Sequence, residues 1–339
     1  MTALQSPQRR PKTARKVRRG LVLGAGGALG AAWMVGALRA LVEIEGFDAG
    51  DSDIVVGTSA GSVLAALIGC GWDVEEMVHR LDVAGEPHVE GTGAVNAFDV
   101  HSALAAIPRP RPLPGNLLLA AKTLGKPHRH TVMTIAAGLA PKGRGTLEPV
   151  GELVADAQNG GAWPTLPTTW IVAMDYDAGK RTVFGRDGAP EAMLAEAVMA
   201  SSSAPGFFPP VDIGARRYVD GGAVSMTNAD VLLGRGLDEV LVLAPMATYT
   251  DDHRGSMVSR ADRRVRGVFT RRLNSEISKL RADGVSVRVI APTADDLRSM
   301  GVNVMNPARR RAVLHTAMWT TKEQLLDAAK APAKVVSLG

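Results

Sequence analysis

The sequence predicts an α/β fold built on a mostly parallel sheet, and two observations carry that prediction. Two units of strand, glycine turn and helix follow one another within the first 70 residues, the pattern of parallel strands joined by helical crossovers. Further along, two short apolar runs, Glu239–Leu243 and Val285–Ile290, each end in an Ala-Pro pair, which stops pairing and turns the chain out of the sheet.

The elements follow in order. A strand is expected at Gly20–Leu23, broken by glycines from Gly24 onward. A helix over Ala31–Ile44 follows, its apolar positions Trp33, Val35, Ala37, Leu38, Leu41 and Val42 suiting burial on a sheet and Gly46 placed to end it. The second strand is Asp53–Val56, and a helix over Ser62–Ile68 follows a tight turn at Gly57–Gly61. Residues 85–165 change character, with Pro108, Pro110, Pro112 and Pro114 in one stretch. They read as an insertion or cap with some helix at Leu117–Leu124. Thr168–Met174 and Arg181–Phe184 bracket Asp177, Ala178 and Gly179 as a hairpin. A helical stretch at Glu191–Ala200 leads to a loop over Ser201–Pro210, and Tyr218 and Val219 lead into Asp220, Gly221 and Gly222. An Arg-rich helix at about Arg260–Arg281 and a last helix over Pro307–Ala329 complete the chain.

Composition bounds the function classes. Of the 339 residues 46% are hydrophobic and 22% charged, as in an ordinary globular protein with a packed core. The formal charge of +5 is local: residues 1–19 hold seven cations and no acid, which leaves the rest of the chain with a net charge of −2. That arm, rich in Arg, Pro and Gln, reads as disordered, and its charge suits contact with anionic lipid headgroups. No nucleic-acid partner is expected from a body that is not basic. Because no stretch of about 18 residues is uninterruptedly apolar, no membrane-spanning helix is expected and cytoplasmic residence is the default. The one cysteine, Cys70, reads as an inert core residue.

Chemistry concentrates at the glycine turns. Gly57-Thr58-Ser59-Ala60-Gly61 is a G-x-S-x-G pattern directly after a strand and directly before a helix, the context of a nucleophile elbow. Gly57 and Gly61 allow strand and helix to approach, and Ser59 projects above the sheet at a helix N-terminus, where developing negative charge is favoured. Gly24-Ala25-Gly26-Gly27-Ala28-Leu29-Gly30 has two readings. As a dinucleotide site its last glycine falls one residue late; as an oxyanion hole its consecutive N–H groups around Gly26, Gly27 and Ala28 converge on one oxygen. Asp-Gly-Gly at Asp220 is, alone, a common turn composition. Ser201–Ser203 have no elbow around them and read as a turn or helix end. His128 and His130 lack neighbouring ligands at metal-binding spacing, and no metal or other cofactor is called for.

Taken together and in order, Gly24–Gly30, Gly57–Gly61, Ser202–Pro205 and Asp220-Gly221-Gly222 resemble the motif set of the patatin-like phospholipase family, over roughly residues 20–225. The resemblance implies a three-layer α/β/α sandwich formed by residues 20–339 as a single domain. It implies a lipid acyl hydrolase of the phospholipase A or lipid esterase type, with Ser59 as nucleophile, Asp220 as base, no triad histidine, and Gly26, Gly27 and Ala28 donating to the oxyanion. Leu29 stands where such proteins usually carry Arg or Lys. Competing expectations are an α/β-hydrolase with a full triad, completed by His253 or His315, and a non-catalytic lipid- or nucleotide-binding protein of the same fold. Neither histidine sits in a glycine-rich loop after a strand.

Overall fold

The computed structural model describes residues 16–83, 115–125, 132–249 and 257–330. Eight strands form one sheet in the order β5-β6-β3-β2-β1-β7-β8, with β4 paired to β3 off that path. The strands β1 (Arg19–Leu23), β2 (Ile54–Thr58), β3 (Thr168–Asp175), β7 (Glu239–Leu243) and β8 (Ser286–Ile290) run parallel to one another. The strands β4 (Lys180–Phe184), β5 (Val211–Ile213) and β6 (Arg216–Asp220) are antiparallel to theirs. The predicted parallel core is present, and the hairpin and the Asp220 strand make its far side mixed.

Helices cover both faces, so the short strands are apolar on both sides instead of alternating. One layer holds α1 (Gly27–Glu45), α2 (Ala60–Gly69), α3 (Val74–Val83), α6 (Glu148–Gln158), α7 (Leu194–Ser202) and α10 (Arg310–Lys330), packed on Leu21, Leu23, Val55 and Ile171. The opposite layer rests on Val22, Val56, Val172 and Val242. It is filled by α8 (Met257–Ala282), through Leu273, Ile277 and Leu280, and by the segment Ala229–Leu237. Two short helices, α4 (Leu117–Gly125) and α5 (Val132–Leu139), sit beside the ends of β3 and β6, where Leu119 and Ala137 pack on Met174 and Val219. The helix α9 (Ala294–Met300) follows β8.

By length and composition α1 could cross a membrane, yet 67% of its apolar window is buried within the fold. It lies against α10 so closely that a Cβ at Gly36 would strike the Leu314 carbonyl and the Ala317 methyl. Gly46, in the left-handed region, ends it by bonding back to Leu41 and Val42, as its sequence position predicts.

Three boundaries differ from expectation. The arm does not run to residue 19: the Arg18 N–H bonds to Asp238, and Arg19 opens β1 in register with Glu239, because backbone pairing extends the sheet past the apolar run. The expected cap over residues 85–165 is narrower in its described part. The helix α6 buries Val150, Leu153 and Val154 in the main core and so belongs to a layer, leaving α4 and α5 as the elements over the sheet end. Pro108–Pro114, His128 and His130 lie outside the described residues. Ser201 and Ser202, expected in a loop or at a helix end, form the last turn of α7, which Ser203 caps.

Candidate active site

Two glycines let the strand-to-helix turn after β2 close. A Cβ at Gly61 would overlap the Leu23 carbonyl oxygen, and one at Gly57 would run into Gly61 and Ser62. Between them Ser59 is held at φ 54°, ψ −123°, a left-handed φ that a serine adopts only when its surroundings compel it. What compels it is visible. The Ser59 N–H donates to the Ser201 hydroxyl at 2.9 Å, and that hydroxyl donates in turn to the Val172 carbonyl of β3 at 2.6 Å. From the other side the Ser59 carbonyl accepts the Ser62 hydroxyl at 2.6 Å. The turn is therefore tied to β3 and α7 as well as to its own helix.

Sheet register brings Asp220 to the same place. The strand β2 pairs with β3 as far as Thr58 opposite Val172, and β6 takes over at the next residue, with Asp220 opposite Ala173. Both lie on the edge of β3 that β4 does not occupy, since β4 covers Ile171–Asp175 from the other side. Ser59, the residue after Thr58, and Asp220 thus meet although 161 positions separate them. The Ser59 hydroxyl stands beside the Asp220 carboxylate in the same cleft, and Gly222 N–H donates to Asp220 Oδ1 at 2.7 Å. Burial pushes the Asp220 carboxyl up to about 6 against the downward pull of the Ser59 hydroxyl and the Gly222 N–H.

The first glycine loop forms the adjoining wall. Gly24 and Ala25 spend their N–H groups on Leu243 and Met226, and Leu29 and Gly30 spend theirs on Val304 and Gly26. Those of Gly26, Gly27 and Ala28 make no hydrogen bond among the described residues. Gly27, at φ +61°, begins α1, so these free donors stand at a helix N-terminus. Gly26 and Gly27 line the same cleft as Ser59 and Asp220; the half-buried Ala28 does not line it. Leu29 is fully buried in the core, so a cation is not presented at that position.

The cleft itself has a volume of about 450 Å³. Apart from Ser59, Asp220, Ser202 and Asn303 its side chains are apolar, with Met133, Phe207, Phe208, Met226, Met246 and Met305 among the larger ones. A long aliphatic group fits such a wall, and flexible methionines adapt to its shape. No histidine lines it among the described residues: His315 lies on the exposed face of α10, 3.0 Å from Asp82, and His253 is outside the described residues. Nor do those residues include a cluster of three His, Cys, Asp or Glu side chains able to hold a metal.

Sequence reasoning missed several residues. Ser201, set aside as a helix end, supports the Ser59 turn. Asn228 donates from one amide to Thr58 Oγ1 at 3.1 Å and to the carbonyls of Gly221 at 3.3 Å and Ser225 at 2.6 Å, tying the Asp220 loop to the end of β2. The wall from Val302 to Met305 comes from a loop after α9. No local signal marks any of these, because each acts on partners far off in the chain.

This geometry and the ordered motifs define a serine-centred α/β protein of the patatin-like class. A family model of patatin-like phospholipases matches residues 21–233, and the chain belongs to that family. A search of curated proteins finds no match. Solved structures similar to it include VipD from Legionella pneumophila (16% identity, 92% of this chain and 67% of that one, TM-score 0.41). The type III effector ExoU, known from Pseudomonas aeruginosa, matches at 18% identity over 93% of this chain and 54% of its own, with a TM-score of 0.40. Human GIVD cytosolic phospholipase A2, in complex with methyl gamma-linolenyl fluorophosphonate, matches at 11% identity over 92% and 58%, also at 0.40. The chain thus spans little more than half the length of the last two. Family membership supports lipid acyl hydrolase activity.

Proposed function

We propose that this protein hydrolyses carboxylic esters of phospholipids or related glycerolipids through Ser59 and Asp220. The observation that carries the reading is the Ser59 hydroxyl, held on a left-handed turn beside a buried carboxylate, in an apolar cleft with free backbone N–H groups next to it.

A serine hydroxyl is a weak nucleophile until a base takes its proton. Asp220, with a proton affinity raised by burial, is such a base, and at neutral pH it is still ionised. As the Ser59 oxygen attacks the ester carbonyl, its proton passes to Asp220, and the tetrahedral oxyanion is met by the free N–H groups of Gly26, Gly27 and Ala28. Collapse breaks the bond to the alcohol, which leaves with the proton from Asp220, and Ser59 carries the acyl group. Water then gives a proton to Asp220 and attacks the acyl carbon. Release of the fatty acid returns the proton to the Ser59 oxygen. Each oxyanion donor of this kind lowers the barrier by about 2.7–4 kcal/mol. Asn303 and Ser202 are the remaining polar side chains of the cleft and suit contact with the ester's headgroup side.

The test is incubation of the purified protein with a mixed lipid extract and identification of products by mass spectrometry. Free fatty acid and the matching deacylated lipid are expected from the wild type and not from Ser59→Ala. Equal release by Ser59→Ala overturns the proposal.

A further inference from the structure

Exposed apolar side chains gather where the cleft opens to solvent. Phe207 and Val302 line it yet are 47% and 51% exposed, and Leu139, next to the lining residue Ala140, is 47% exposed. Leu117 and Leu118 are 69% and 58% exposed. They follow directly on Gly115 and Asn116, whose N–H groups bond to the Ala140 carbonyl at 2.7 Å and the Gly138 carbonyl at 3.4 Å. Large apolar side chains left in water around the mouth of an apolar cleft mark an interaction surface.

Charge follows the same contour. The segments that carry this rim, residues 115–125, 132–147, 202–208 and 301–306, contain Lys122, Lys142 and Arg144 and no Asp or Glu. Residues 20–339 as a whole carry a net charge of −2, so the rim is basic on a body that is not. Lys142 and Arg144 are exposed, and Arg144 is anchored beside Phe207, whose carbonyl accepts its N–H at 3.1 Å. Cations interleaved with exposed aliphatic and aromatic side chains match the surface of an anionic bilayer, where headgroups meet the charges and acyl chains take the apolar tips.

We propose that this face docks on anionic lipid bilayers, seating the cleft mouth against the membrane so that an acyl chain reaches Ser59 without crossing water. The benefit to turnover rests on the hydrolase reading above; the docking itself does not depend on catalysis. Flotation with vesicles of phosphatidylcholine, with and without phosphatidylglycerol, therefore uses Ser59→Ala protein, in which no lipid is consumed. Binding to the phosphatidylglycerol vesicles is expected, weakening as salt is added. Adding Leu117→Asp and Leu118→Asp should weaken it by about tenfold or more per leucine. Adding Lys142→Gln and Arg144→Gln should weaken it about fivefold per cation. With Ser59 intact, the Leu117→Asp/Leu118→Asp protein should keep its turnover of a water-soluble short-chain ester while losing turnover of vesicle lipid. Unchanged flotation of the leucine variant overturns the proposal. So does binding that disappears only when Arg9, Arg10, Lys12 and Arg15 are neutralised, which assigns attachment to the N-terminal arm. Absence of soluble-ester turnover in the wild type counts against the hydrolase reading and leaves the flotation result to decide docking.

Discussion

At the scale of single residues, the site depends on groups that hold Ser59 as much as on Ser59 itself. The Ser201 hydroxyl bridges the Ser59 N–H and the Val172 carbonyl in a fully buried position. Ser201→Ala leaves both without that partner, and each buried unpaired group costs about 1–3 kcal/mol. The variant should melt at lower temperature and turn over at least about tenfold more slowly, given that a 1.36 kcal/mol rise in barrier is tenfold in rate. Thermal unfolding and steady-state kinetics on a soluble ester check both. Asp220 gives the pH dependence. Its carboxyl titrates at about 6 and acts as base only when ionised, so kcat/KM should fall about tenfold per pH unit below 6 and level off above it. The same shift has a stability consequence of opposite sense. The folded protein binds this proton more tightly than the unfolded chain, so the group's contribution is favourable below pH ~4 and is lost as pH rises through about 6. Asp220→Asn removes a buried charge and should be more stable than the wild type at pH 8, by up to about 3 kcal/mol, with the gap closing toward pH 4. Denaturant unfolding at the two pH values measures it.

Elements differ in how much of them the sequence revealed, and the reason is physical. The strands at Gly20, Asp53 and Glu239 were readable because strands buried on both faces form short unbroken apolar runs, and the turn glycines were readable because close backbone approach admits no Cβ. The helices α3, α5, α6 and α9 were not. The helices α3 and α9 are short and charged, with Glu75, Glu76, Asp295 and Asp296 in their first turns, and their burial comes from neighbours distant in sequence. The strand β5 has three residues and exists only through its pairing with β6. Ser59 and Asp220 could be named from motifs, but their meeting follows from β6 continuing the edge of β3 that β2 vacates, a matter of register that no local pattern encodes. Element packing also sets a limit on substitution. In α1, Gly36 faces the Leu314 carbonyl across the contact with α10, so Gly36→Val must push the helices apart. Overpacking of this kind costs about 1–3 kcal/mol or more. A lower denaturation midpoint with unchanged kinetics is the expected result, because the contact lies away from the cleft.

Over the whole molecule, function is assembled at the end of the sheet to which β1 and β2 deliver their glycine turns. The cleft is closed there by distant parts of the chain, among them the loop at Gly26, the turn at Ser59, α5, the segment after α7, the loop at Asp220 and the loop at Val302–Met305. The central claim is that the Ser59 oxygen is the nucleophile and that Asp220 takes its proton. The most direct measurement is the rate and position of covalent labelling by a fluorophosphonate ester, with the adduct located by mass spectrometry in wild type and in Asp220→Asn. The account predicts one adduct, on the peptide that carries Ser59, formed about 10²–10⁴-fold more slowly in Asp220→Asn. An adduct on a different residue, or labelling of Ser59 at the same rate without the carboxylate, contradicts it.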